Sequence, residues 1–350
     1  MENLIDGKAY PTQVTTPESL ELNTLFSRMI ESGVQTTAME VSSHALSLDR
    51  VDGLDFDMAV FTNLTQDHLD YHKDMKHYYA SKRHLFEMAK CTLFNIDDPY
   101  GQKLYNEFKG SFSYGFHADA DFRASDVEAK AEGTRFTLTY KQHTYAIETP
   151  FLGRIYVLNV LAALGALSLI GYDMMLMMQA MNRVKPVRGR LEKVPNDKGI
   201  RVFVDYAHTP DALKNVLEIA REFTENRLIS VFGCGGDRDR TKRPKMGKIS
   251  EQIADFSIVT SDNPRSEDPM EIINEIVMGM SKDSGKYTVN PDREEAIAKA
   301  ITMAKPGDTV IIAGKGHETY QIIGTTSHDF SDFEKAKKYL EEKPHESSRD

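Results

Sequence analysis

Cysteine is scarce: Cys91 and Cys234 are the only two in 350 residues. That excludes a disulfide framework, and their spacing excludes a zinc ribbon. Long apolar runs are absent, since no stretch supplies 18 unbroken apolar residues, so no membrane insertion is expected. The start, Met1 to Pro11, is polar and carries Glu2, Asp6 and Lys8, so it offers no secretory apolar core. Net positive charge is missing too. Against 53 acidic residues stand 43 basic ones, a formal charge of −10; nucleic acid is not the expected partner, although a local basic site stays open. Gly 22 and Pro 13 show neither collagenous nor linker-like bias. A cytoplasmic protein is expected.

What is present is an ordinary globular composition, 40% hydrophobic and 27% charged, at a length suited to two domains of about 150 residues. A helical pattern covers Pro17 to Ser32, with Thr16 as its expected N-cap. Short apolar runs at Thr37 to Val41, Met58 to Thr62 and Cys91 to Ile96 read as buried parallel strands, with a helix from Lys76 to Ala89 between the last two. Ser111 to Pro150 switches to period-two segments expected to form antiparallel hairpins. Val157 to Ile170 and Asp173 to Met181 read as apolar helices, the second using its methionines as core filler rather than as a soft-metal box. Beyond Pro186 to Gly189, where we place the domain boundary, strands and helices alternate again. Strands are expected at Arg201 to Val204, Leu228 to Phe232, Phe256 to Thr260 and Thr309 to Ala313. Helices are expected at Asp211 to Phe223, Met246 to Ile253, Pro269 to Met280 and Arg293 to Ala304. This is the alternation of a doubly wound α/β domain. The domains are expected at 1–187 and 188–340, with a frayed tail at 341–350.

Polar segments recur just past these strands, where open α/β sheets bind ligands. Glu40-Val41-Ser42-Ser43-His44 offers a carboxylate suited to a hard cation, and Thr62 to His72 gathers further ligand-capable groups. His68 and His72, four apart, share a helix face, but no Glu stands next to His68, which favours a structural or single-ligand role over a zinc pair. Lys82, by spacing alone, reads as a solvated cation. In the second half, Asp205-Tyr206-Ala207-His208-Thr209-Pro210-Asp211 closes a strand and opens a helix. Gly233 to Pro244 combines glycines with Arg238, Arg240, Lys242 and Arg243, an anion site by composition that lacks both G-x-G-x-x-G and the Walker pattern. Asp262-Asn263-Pro264-Arg265 ends in a guanidinium fork suited to a carboxylate, and Gly314-Lys315-Gly316-His317-Glu318 follows the last strand. Cys234 lacks a readable His/Asp arrangement and reads as filler rather than nucleophile.

Together these segments resemble the Mur ligases, from about Thr12 to Ala336. The resemblance implies a truncated central ATPase-like α/β domain followed by a doubly wound, Rossmann-like C-terminal domain. It implies an ATP- and magnesium-dependent ligase of peptidoglycan synthesis, in which a carboxylate becomes an acyl phosphate and an amine displaces the phosphate. By motif match, Glu40, His68 and a carbamylated Lys82 would hold magnesium, with Lys82 and His208 in catalytic positions. Asn159, Arg190, Asp205 and His208 would lie on the nucleotide side. Thr15, Thr16, Ser42 and Arg50 would contact the UDP-N-acetylmuramoyl dipeptide. Arg238, Asp262, Asn263, Pro264, Arg265, Gly314 and Glu318 would receive the amino acid, with arginines on its carboxylates and Glu318 on an ammonium. The Asp-Asn-Pro-Arg form is associated in this family with meso-2,6-diaminopimelate.

Family members also carry a uridine-nucleotide-binding domain and a Gly-x-Gly-Lys-Thr phosphate loop that these 350 residues do not contain, and Tyr156 stands where the family usually has Asn. A monomer is expected, or a chain completed by a second one that supplies those parts. Two alternatives stay open, a noncatalytic chain that binds diaminopimelate or precursor, and a ligase like folylpolyglutamate synthase.

Overall fold

In a computed structural model of the chain, residues 2–12, 14–65, 71–130, 132–181 and 183–343 are described. The expected tail falls largely outside them. Two compact units emerge, one of Met1–Val127, Arg135–Glu148 and Ile155–Asn182, the other of Glu128–Thr134, Thr149–Arg154 and Arg183–Asp350. No helix among the described residues is long and apolar enough to cross a membrane.

The first unit opens with an antiparallel pair, β1 (Glu2–Ile5) and β2 (Lys8–Pro11). Then come α1 (Ser19–Glu31), α2 (Ser43–Ser47), β3 (Phe56–Phe61), α3 (Met75–Glu87), β4 (Ala89–Asn95), α4 (Pro99–Glu107) and β5 (Phe112–Gly115). The strands β6 (Phe122–Lys130), β7 (Gly133–Tyr140) and β8 (His143–Thr149) follow, then α5 (Arg154–Leu169) and α6 (Met174–Met181). Strands β3 to β8 form one sheet in sequential order. Its core packs Ala59 and Phe61 of β3 and Phe94 of β4 against Tyr78, Tyr79, Leu85 and Phe86 of α3. Asp74 caps α3 by accepting from the His77 N–H.

Three expectations are corrected here. Thr16 does not cap α1, whose N-cap is Glu18; its buried hydroxyl donates to the Glu40 carbonyl and accepts from the Ser42 N–H instead. The run Thr37 to Val41 is not a strand, because a strand needs a ladder partner. An open groove of about 930 Å³, lined by Thr36, Thr37 and Met39 and by Leu54, Phe56 and Met58, lies between this segment and the end strand β3. Finally, β5 is not part of an antiparallel hairpin but runs parallel to both β4 and β6.

In the second unit, β9 (Glu192–Lys193), β10 (Arg201–Asp205), α7 (Pro210–Phe223), β11 (Leu228–Phe232), α8 (Lys242–Ile253), β12 (Phe256–Val259) and α9 (Pro269–Val277) lead into β13 (Tyr287–Val289), α10 (Arg293–Met303) and β14 (Thr309–Ala313). The hairpin β15 (Tyr320–Ile323) and β16 (Thr326–Asp329) precedes α11 (Asp332–Glu342). The sheet order is β13-β12-β11-β14-β10-β9, parallel except for β9. Every residue of β11 and β14 is buried, which is why these strands read as continuous apolar runs. Helix α7 shows how the sequence writes its own element. Thr209 caps it, Pro210 fills the first position, and Leu213, Val216, Leu217, Ala220 and Phe223 recur on one buried face.

Helix α8 begins one turn earlier than its apolar pattern suggests, and this changes the reading of the basic run before it. Arg243 is a helical residue with no exposed surface, paired with Glu267 at 2.8 Å and Glu275 at 2.9 Å. Arg240 pairs with Glu275 as well, and Lys242 donates to the His208 carbonyl. The expected ring of four free cations is therefore mostly engaged within the fold; Arg238 and Arg240 are exposed, and of these Arg240 is paired with Glu275.

The Arg243 hydrogen bonds hold the Glu267 carboxyl at about 2, down from 4.5. A carboxylate depressed in this way stabilises the fold fully above pH 4.5 and loses its contribution as pH falls toward 2. Glu267→Gln should therefore melt below the wild type at pH 7, with the difference in Tm closing between pH 4.5 and about 2. A difference that stays constant across that range would show that Glu267 contributes nothing through its charge.

Candidate functional site

In the first unit the polar segment after α1 folds onto itself. Thr16 bridges Glu40 and Ser42, and the Ser42 hydroxyl accepts from the Ala45 N–H as the cap of α2. Arg50 donates to the Thr16 carbonyl at 3.1 Å and pairs with Glu18. From α3, Lys82 reaches across to donate to the Val41 carbonyl at 3.3 Å. Thr16, Glu40, Ser42, Arg50 and Lys82, all named from the sequence, thus share one neighbourhood. Thr15 adjoins it by position, and Asn159 lies exposed on α5.

Lys82 is not the solvated cation that spacing alone suggests. Burial pushes its amine below the ordinary lysine range, and the nearby Glu40 carboxylate only partly opposes the shift. His72 is buried, and its Nε2 lies 2.8 Å from the Ser43 hydroxyl. His68 lies outside the described residues. Among the described residues no group of three or more His, Cys, Asp and Glu side chains could hold a metal ion as it stands.

In the second unit, four parallel strands deliver their C-terminal loops to one edge. Asp205 ends β10, and its carboxylate accepts from the Leu191 and Ala207 N–H groups at 2.7 and 2.8 Å. Burial nevertheless leaves its carboxyl above the usual range. These bonds fix the left-handed Leu191 (φ +41°) and so the neighbouring Arg190, whose guanidinium lies over the Tyr206 ring at 5.1 Å. Tyr206 also meets the rings of His208 and His317. His208 Nδ1 lies 2.9 Å from the Tyr206 carbonyl, so Nδ1 is the donor and Nε2 is the ring nitrogen not spent on that bond.

The loops after β11, β12 and β14 interlock more tightly. Arg265 takes a left-handed turn (φ +52°), held because its N–H donates to the Ile322 carbonyl and its own carbonyl accepts from Gly324. Its Nη1 donates to the Gly236 carbonyl at 2.8 Å, beside the glycine turn that carries Arg238. The Asn263 side chain accepts from Lys315 and from the Ile322 N–H and donates to Glu318, each at 3.0 Å. Lys315, fully buried, also donates to Glu318 at 3.0 Å. Gly314 (φ +123°) has no alternative, since a Cβ there would lie 2.5 Å from the Asp262 carboxylate. Pro264 is buried in the same turn.

Arg238, Asp262, Asn263, Pro264, Arg265, Gly314 and Glu318 are therefore brought together, with a guanidinium fork and a carboxylate as the functional ends. Sequence reasoning missed Lys315, whose amine fixes one Glu318 oxygen, and Gln321, which donates to the Asp262 carbonyl at 2.7 Å. Only the Gly-Lys-Gly setting of Lys315 hinted at it. Cys234 is buried, with its thiol pushed up to about 12, which keeps it protonated and inert as expected of filler.

Models of known families match both units. The Mur ligase middle domain matches residues 2–167, and the domain described as "Mur ligase, glutamate ligase domain" matches residues 189–316. The UDP-N-acetylmuramoyl-L-alanyl-D-glutamate--2,6-diaminopimelate ligase of Clostridioides difficile (strain 630) is 47% identical over 343 residues, 96% of this chain and 71% of that protein. A solved structure of an enzyme with the same name is 34% identical, with a TM-score of 0.68 over 96% of this chain and 71% of its own. Mycobacterium tuberculosis folylpolyglutamate synthase, solved with ADP and AMPPCP, shares the fold at a TM-score of 0.60 and 20% identity, over 74% of this chain and 61% of its own. Matches along both units, at nearly half identity to one relative, establish that the chain belongs to the Mur ligase family, whose members are ATP-dependent ligases.

Proposed function

We propose that this chain serves the ATP-dependent joining of meso-2,6-diaminopimelate to the γ-carboxylate of D-glutamate in UDP-N-acetylmuramoyl-L-alanyl-D-glutamate. One observation carries the amino-acid choice. The Asp262-to-Arg265 turn presents a guanidinium tethered through Nη1, while Glu318 is fixed by Lys315 and Asn263. A diamino dicarboxylate can use both, a carboxylate on the arginines and an ammonium on Glu318.

In this reading the second unit holds the incoming amino acid, and the lone pair on His208 Nε2 takes the proton of its attacking amine. The C–N bond forms at the acyl carbon as the C–O bond to phosphate breaks. Arg190, set by Asp205 and Tyr206, would be the second unit's contact to the nucleotide. The first unit holds the muramoyl peptide through Thr15, Ser42 and Arg50, with Thr16 shaping the segment that presents them.

Glu40 offers hard oxygen ligands, and Lys82 becomes a second carboxylate when its neutral amine adds to carbon dioxide and releases a proton to solvent. That donor chemistry fits magnesium, and His68 would complete it. Held by these residues, magnesium would supply positive charge to offset that of the transferred phosphoryl group. A second reading, binding without turnover, draws on the fact that every amino-acid-site residue belongs to the second unit.

Three measurements test these roles. The chain incubated with 13C-bicarbonate should show a carbamate carbon resonance that disappears in Lys82→Arg; an unchanged resonance, or none in the wild type, contradicts the metal-site assignment. Calorimetry should show meso-diaminopimelate binding more tightly than L-lysine, with Arg265→Ala weakening it by about 2 to 5 kcal/mol. Tighter lysine binding would overturn the arginine assignment, and turnover with ATP and the muramoyl dipeptide would separate the ligase from the binder.

A further inference from the structure

The Arg293 guanidinium is wholly buried and spends its donors in two directions. Nε and Nη2 grip both oxygens of the equally buried Asp332, each at 2.7 Å. Nη1 donates to the Ser261 carbonyl at 3.1 Å, and Nη2 also donates to the Ala313 carbonyl at 3.0 Å. Ser261 and Ala313 are the residues immediately before the Asp262-to-Arg265 turn and the Gly314-to-Glu318 loop. Arg293 and Asp332 are in turn the first residues of α10 and α11. One fork therefore ties two helix starts to the two chain segments that carry the amino-acid site.

We infer that Arg293 and Asp332 are positioning residues for amino-acid recognition, an inference that rests on the function proposed above for that site. They touch no substrate. Their effect is to fix the separation of the two loops, so that Asp262 seats against Gly314 and Asn263 meets Lys315 and Glu318. The geometry demands arginine. A lysine ammonium is a point donor with three hydrogens, and it cannot grip a carboxylate side-on while also reaching two carbonyls on different chain segments. Losing either carbonyl bond lets one loop shift relative to the other, and binding by a two-pronged site is sensitive to such shifts.

The test compares Arg293→Lys with Leu340→Ala, a cavity variant in the buried face of α11 that loosens the same unit without touching the fork. Amide hydrogen exchange of the whole chain should speed up at 262–266 and 314–318 in Arg293→Lys, with those segments unchanged in Leu340→Ala. Calorimetry with meso-diaminopimelate should show Arg293→Lys weakened about tenfold or more, and Leu340→Ala close to wild type. Unchanged exchange in both loops, or equal weakening in the two variants, overturns the positioning role. If the wild type takes up no diaminopimelate, the reading of the site fails instead, and the exchange result alone decides whether the fork positions the loops.

Discussion

Parallel register is the constraint on which the second unit's candidate site depends. Asp205 of β10 and Phe232 of β11 both align with Ala313 of β14, and Phe232 aligns with Val259 of β12. Four strands therefore stop at one level, and whatever follows them emerges along one edge. Because β10, β11, β12 and β14 are almost wholly buried on both faces, a one-residue slip would exchange the side chains packed on each face, so close packing against the helices fixes the register. The chemistry of the loops is placed by hydrophobic packing behind them.

Charge then does locally what packing does globally. Each buried cation of the second unit is committed to acceptors: Arg243 to Glu267 and Glu275, Arg293 to Asp332 and two carbonyls, Lys315 to Asn263 and Glu318. Removing one partner from such a pair leaves an uncompensated charge and typically costs about 3 to 5 kcal/mol, so these bonds hold their loops in single conformations. Arg238 stays outside these networks, and Arg265 is tethered through Nη1 alone, leaving both able to meet a ligand. In the first unit the logic reverses. Lys82 is half-buried with only partial compensation from Glu40, which lowers its basicity.

Much of this was legible in the sequence. Local signals reported on local facts: the Asp205-to-Asp211 segment marked the start of α7, apolar runs marked β11 and β14, and the polar residues just past each strand marked the loops of the site. Failures came where the deciding partner is remote in sequence. Thr16 has the right residue type and position for a helix cap, but Glu40 and Ser42 claim its hydroxyl. Thr37 to Val41 has strand composition and no neighbour to pair with. Arg243 looks like one more cation in a basic loop until Glu267 and Glu275 bury it, and no periodicity connects Arg293 to Asp332. The family resemblance supplied roles for Lys82 and Glu318 that spacing could not, while Lys315, one residue from an assigned position, went unread.

The central claim is that the loops after β11, β12 and β14 make one amino-acid site. Backbone amide shifts of the chain, titrated with meso-diaminopimelate, test it most directly. The account predicts perturbations gathered at 236–238, 262–265 and 314–318. Shifts confined to one of these loops, or centred elsewhere in the second unit, would contradict it.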